Sequence, residues 1–135
     1  MLGVKNYTRE YIDACLARVD ADVAAYDGAI KGEAGPTAEA LENAYFSNLV
    51  IVLDAMFVHR LRVVEGKDGN PLNEVRMLCN SILQNGGIMT ADKTIKMVPE
   101  KTVLEIPFGA EIKIDRARFV AISKAFFTEI ESKFL

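Results

Sequence analysis

The sequence predicts an α+β fold that is mainly α: three helices, a small antiparallel β-meander and then a C-terminal helix, forming one domain over residues 1–135. Three features carry that expectation. Apolar residues recur at helical spacing from Ile12 to Ile30, Phe46 to Phe57, Leu72 to Ile82 and Phe119 to Phe134. Between the last two of these stretches, residues 88–114 hold short β-type runs separated by turn residues. The chain has 135 residues, 50% hydrophobic and 26% charged, which is globular in composition and long enough to close one core.

The first helix is expected from about Arg9 to Ile30, with Thr8 as N-cap and Tyr7 stapled against Ile12. Ile12, Cys15, Leu16, Val19, Val23, Tyr26 and Ile30 form its apolar stripe. The loop KGEAGP breaks the pattern, and Pro36 or Thr37 opens a second helix. That helix is expected to run unbroken to Glu65, with Glu39 and Glu42 near its positive end and His59, Arg60 and Arg62 near its negative end. About 30 residues at 1.5 Å each make a rod of roughly 45 Å, against a radius of gyration of about 14 Å for a chain of this size. From Phe46 to Val58 the rod is apolar on nearly every side, and such a helix is covered on every side. With little else in the chain to cover it, a second copy is the expected partner, so the protein is read as a homodimer.

Gly66 to Gly69 make a tight turn, after which Asn70 is an N-cap and Pro71 a first helical residue. The third helix is expected from Pro71 to Leu83, with Leu72, Val75, Cys79 and Ile82 facing the core. Asn73, Arg76, Asn80 and Gln84 lie on the polar side. Strands are expected at 88–90, 94–98, 102–106 and 111–114, with turns at 91–93 and 99–101. Asp115 then caps the last helix, with Ile114 and Phe119 in staple positions.

A formal charge of -3 disfavours phosphate backbones and anionic lipid, so neither nucleic acid nor membrane is an expected partner. The element order permits a winged helix, but NPLNEVRMLCNSIL sets one arginine against one glutamate, too little charge to enter a groove. The first ten residues lack the pattern of a signal peptide. The apolar run from Leu49 to Val58 contains Asp54 and is shorter than the ~20 residues of a membrane span. A cytoplasmic setting is expected. Cys15 and Cys79 are read as buried free thiols, with a single disulfide as the alternative.

Polar chemistry concentrates in FVHRLRVVEGKDGNPLNEVR, Phe57 to Arg76, which holds the only histidine. Its expected role is to hold a small anionic ligand or an acidic partner on His59, Arg62, Lys67, Asn70, Asn73 and Arg76. Free backbone N–H groups at the start of the third helix would sit beside Lys67. The plainer alternative is a surface network in which Glu65 and Glu74 neutralise the arginines. A further alternative is a small enzyme with His59 as general acid or base, and Arg62 and Asn73 orienting substrate. Asp54 interrupts the apolar run and is expected to pair with an arginine or hydroxyl from a neighbouring helix or across a dimer interface. It stands about 140° from His59 on a helix, so the two cannot share a metal from there.

No cofactor or metal is expected. His-Glu-x-x-His, Cys-x-x-Cys and a second histidine are all missing, and the turn GKDGN has no Ser or Thr after its lysine. Cys79 stands where a calcium loop needs its glutamate. Ser47 and Ser81 lack a nucleophile elbow.

FVHRLRVVEGKDGNPLNEVR, followed by MLCNSIL and IKMVPEKTVLEIPFGAEIKI, resembles an uncharacterised family of small bacterial proteins. The resemblance spans most of the chain outside residues 31–36. It implies a bacterial, cytoplasmic setting and supplies no activity, cofactor or catalytic residue.

Overall fold

The computed structural model describes residues 3–135. Its elements are α1 (Arg9–Ile30), α2 (Pro36–Ala55), a single turn α3 (Arg62–Glu65), α4 (Pro71–Gln84) and α5 (Arg116–Phe134), with a 3-10 turn at Pro99–Lys101. No β-strand occurs among the described residues, so the fold is helical and the expected α+β class is wrong. α5 lies at the centre, against each of the other four helices, and α2 also packs on α4. Phe119, Ile122, Phe126, Ile130 and Phe134 of α5 are all fully buried. They meet Phe46 and Leu53 of α2, Leu72 and Leu78 of α4, and Phe57 just beyond α2 in one core.

Helix starts follow from local chemistry. Thr8 Oγ1 accepts from Tyr11 N at 3.1 Å, Asn70 Oδ1 from Leu72 N and Asn73 N at 2.9 and 3.2 Å, and Asp115 Oδ1 from Arg118 N at 2.8 Å. Replacing Thr8 by alanine is expected to destabilise the fold by about 1 kcal/mol in urea unfolding, with the loss of helicity confined to the first turn of α1. Tyr7 turns its ring onto Tyr11, Phe57 and Phe134, so it anchors the entry to α1 through an aromatic cluster.

The second helix does not reach Glu65. It stops at Ala55, and the next bonds shorten to i−3 turns: Phe57 N to Asp54 O at 3.1 Å and Arg60 N to Phe57 O at 3.1 Å. Residues 59–61 then run beside residue 4, where Val4 N donates to His59 O at 2.7 Å and Leu61 N to Val4 O at 2.9 Å. The cause is a charge pair that a straight helix forbids. Residues five apart point about 140° away from each other on a helix, yet Arg60 Nε meets Glu65 Oε1 at 2.8 Å with both side chains fully buried. Breaking the helix brings them together.

The reason for expecting a second copy goes with the long rod. Phe46, Val50, Leu53 and Phe57 are completely buried by the chain itself, while Ile51, Val52 and Met56 pack against the same core. The core side of the waist is covered by the chain itself, with Ile51, Val52 and Met56 partly buried, and Val58 is the only large apolar residue exposed in the run from Phe46 to Val58.

The expected meander is replaced by an irregular segment with one isolated antiparallel bridge, Ile88 to Glu111. Alternation in this stretch reports burial: Leu104 and Ile106, and Ile112 and Ile114, do enter the core. A few backbone groups still pair with backbone, as Met89 N does with Ala110 O and Ile112 N with Gly87 O, and many others bond to side chains. Glu74 accepts Val103 N and Leu104 N, Ser81 Oγ accepts Thr90 N, Asn43 Oδ1 accepts Ile114 N, and Arg118 donates to the Leu104 and Lys113 carbonyls. Glu105, at φ 53°, turns the chain left-handed in the middle of the run read as a strand. Gly69, at φ 85°, serves a close approach: a Cβ there would lie 2.7 Å from the Lys96 carbonyl oxygen, where residues 67–69 meet this segment.

Candidate functional site

The buried polar groups between α2 and α4 gather around Glu65. This carboxylate is fully buried at the end of α3. It accepts from Arg60 Nε at 2.8 Å, Arg76 Nη2 at 2.5 Å, Arg76 Nε at 3.1 Å and Asn73 Nδ2 at 2.8 Å. Burial pushes its pKa up, but the bond from Arg76, the charges of Arg60 and Arg76 and the bond from Asn73 outweigh burial and hold it below the ordinary value. Arg60, also buried, donates to the Phe57 and Leu72 carbonyls, and its guanidinium lies 5.5 Å from the centre of the Phe126 ring. Asp54 Oδ1 is 2.9 Å from Arg60 Nη2 but off the hydrogen-bonding line, and no donor among the described residues points at that oxygen. The partner of Asp54 is thus an arginine from the same stretch of chain, just beyond its own helix, and not one from a neighbouring helix or a second copy.

The six residues read as ligand-binding divide in two. Asn70 spends Oδ1 on capping α4, and Nδ2 on the Glu65 carbonyl and Asp68 Oδ1, at 2.8 Å each. Asn73 is buried, with Nδ2 on Glu65 Oε2 and the Gly66 carbonyl and Oδ1 accepting Gly69 N. Both are structural, so the start of α4 offers an anion nothing that these side chains have not already taken. Lys67 is exposed, and its carbonyl accepts Lys96 N at 2.8 Å, which ties its backbone to the irregular segment.

His59, Arg62 and Arg76 do come together. With Val58, Leu61 and Val63 they line a shallow cleft of about 330 Å³ after the end of α2. His59 and Arg62 are exposed and Arg76 is half-buried, braced from behind by Glu65. Among the described residues no carboxylate lines this cleft. Asp92 stands outside this lining. Its pKa is lowered first by hydrogen bonds from the side chain and backbone of Thr94, and further by the charges of Arg62 and Arg76. Its carboxylate is engaged by Thr94 at 2.7 and 2.8 Å and forms no ion pair with either arginine. Among the described residues no hydrogen bond orients the His59 ring, so nothing here arranges it for proton transfer.

Sequence reasoning passed over Arg60 and underrated Glu65. Residues five apart meet only if the helix stops between them, so the spacing of Arg60 and Glu65 did not by itself reveal their pairing. Glu74 does not neutralise the arginines; it binds the irregular segment instead.

A larger trough of about 610 Å³ lies between α1 and α5, with Val19, Phe119 and Phe127 in its walls. Arg116 clasps Asp27 at one end, at 2.7 and 2.9 Å, and Arg9 clasps Glu131 at the other, at 2.7 Å, so the two helices run antiparallel. Asp20 and Lys124 on opposite walls cancel in sign. The trough therefore offers apolar area without a charge to select a ligand.

Cys15 and Cys79 are free and buried, and burial raises both thiols above the ordinary value, which keeps them protonated. Among the described residues no group of three His, Cys, Asp or Glu side chains is placed to hold a metal ion, and no helix is long and apolar enough to cross a membrane. Comparison with models of known families, with curated proteins and with solved structures finds no match.

Proposed function

We propose that this chain is a non-catalytic binding protein that takes a small anionic group in the cleft after α2, on Arg62, Arg76 and His59. The observation that carries this reading is the composition of the cleft: its charged lining is cationic, and among the described residues no carboxylate lines it. The buried Glu65 network supports it by fixing the Arg76 guanidinium before a ligand arrives, so little side-chain freedom is lost on binding. Arg62 is the adaptable arm, exposed at the first residue of α3.

Titration with acetate and with phosphate at constant ionic strength, followed by NMR of the His59 ring, is expected to give saturable shifts. Arg62→Ala is expected to weaken both about tenfold, equivalent to ~1.4 kcal/mol, while leaving the unfolding midpoint unchanged. Absence of saturable shifts with either anion would remove the proposal.

A further inference from the structure

We infer that the group accepted in this cleft is a carboxylate carrying a branched aliphatic side, either a short branched-chain acid or the free end of a peptide chain terminating in such a residue. This rests on the anion reading above. It comes from the walls that the charges leave uncovered. Val63 is 86% exposed and Val58 51% exposed, and both line the same cleft as Arg62 and Arg76. Among the described residues Val63 is the most exposed of the large hydrophobic side chains. Isolated exposed apolar residues need no explanation, but here two of them, with half-buried Leu61, frame the two guanidiniums. A ligand that satisfies only the charges, such as phosphate, leaves both valines in water. An aliphatic carboxylate places its oxygens on the arginines and its branched carbons against the valines.

The surrounding charges favour a singly charged head. Behind Arg76 and Arg60 stands Glu65, beside Arg60 stands Asp54, and Asp92, outside the lining, feels the charges of Arg62 and Arg76. These acids offset much of the cationic field, which disfavours a doubly charged phosphate relative to a carboxylate. The planar fork of Arg62, which no carboxylate among the described residues occupies, matches the two oxygens of a carboxylate, while Arg76, whose Nε–Nη2 edge is held by Glu65, has its outer Nη1 left to donate.

The test compares acetate, 3-methylbutanoate, 3-methylbutanol, phosphate and N-acetylvalinate by the same NMR titration, following the His59 ring and the methyl groups of Val58 and Val63. The expected result is that 3-methylbutanoate binds roughly tenfold tighter than acetate, about half the effect, in energy, of burying three carbons completely. Val63→Ser is expected to abolish that preference while leaving acetate binding as it was, and Arg62→Ala to weaken both acids. The alcohol is expected to bind far more weakly than the acid. N-acetylvalinate binding more tightly than 3-methylbutanoate marks a peptide end as the source, and the reverse order marks a free acid. If acetate and 3-methylbutanoate bind alike, if the preference survives Val63→Ser, if phosphate binds more tightly than 3-methylbutanoate, or if the alcohol matches the acid, this inference is overturned. In the first three cases the anion reading still stands. If no anion moves the His59 resonances, the anion reading fails instead. Val63 is so exposed that its replacement leaves the core untouched, and circular dichroism of Val63→Ser verifies this.

Discussion

Replacing Glu65 with alanine is expected to destabilise the protein by roughly 3–5 kcal/mol, the cost of leaving a buried charge without its partner. Glu65 receives four hydrogen bonds from Arg60, Asn73 and Arg76, and among the described residues it is the only carboxylate that Arg60 meets on a good hydrogen-bonding line. Without it the fully buried Arg60 guanidinium keeps two carbonyls and the off-line Asp54 oxygen, which do not replace a buried anion. The ordering of variants is as informative as the size. Arg60→Met should cost less than Glu65→Ala, because Glu65 would keep Arg76 and Asn73, and Arg76→Met less again, because that side chain is partly in water. Urea unfolding at neutral pH measures all three. The sign of the pH dependence is fixed by the direction of the shift. Glu65 is held below its ordinary pKa of 4.5, so its contribution is present above that value and is lost as pH falls through the lower, folded-state value. A loss below about 1 kcal/mol for Glu65→Ala would mean that Arg60 does not depend on this carboxylate. The brace assigned to the cleft would then be gone.

How far the sequence could be read depends on the range of each interaction. α1, α4 and α5 were legible because their signals are local: Thr8, Asn70 and Asp115 stand one residue before each start, and the apolar stripes follow directly. The end of α2 was not, because Met56 to Arg60 carry neither proline nor glycine. What breaks the helix there is tertiary: the pairing of Arg60 with Glu65, and the backbone bonds of residues 59 and 61 to Val4. Residues 88–114 show the same separation. Alternation identified which side chains are buried, since Leu104, Ile106, Ile112 and Ile114 all are, but it did not say what receives the backbone hydrogen bonds between them. Of the candidate site, His59, Arg62 and Arg76 meet in one cleft. Asn70 and Asn73 are absorbed by the turn they build, since a capping asparagine and a ligand-binding asparagine look alike until their partners are seen.

The irregular segment should be as sensitive to Glu74 as the α2–α4 junction is to Glu65, with the opposite response to pH. Glu74 is buried on α4 and accepts Val103 N and Leu104 N, each at 2.9 Å, holding the middle of a segment that has no ladder of its own. Glu74→Ala removes both acceptors. At about 1–3 kcal/mol for each stranded group, reduced for Val103 because it is partly solvated, the expected loss is roughly 3 kcal/mol. Hydrogen exchange separates a local from a global effect: the Val103 and Leu104 amides should lose protection before those of α5 do. Burial raises the Glu74 pKa, and the bonds from Leu104 and Val103 oppose that rise without cancelling it. The native state therefore holds this proton more firmly than the unfolded chain. Stability contributed by the group is largest below its ordinary pKa of 4.5 and declines as pH rises through the higher folded-state value. Glu74→Gln cannot titrate, so the advantage of the native protein over this variant should shrink with rising pH. Taking the difference between the two proteins also removes the opposing contribution of Glu65. An advantage that grew with pH would mean that the two backbone donors outweigh burial, and that Glu74 holds the segment best as an anion.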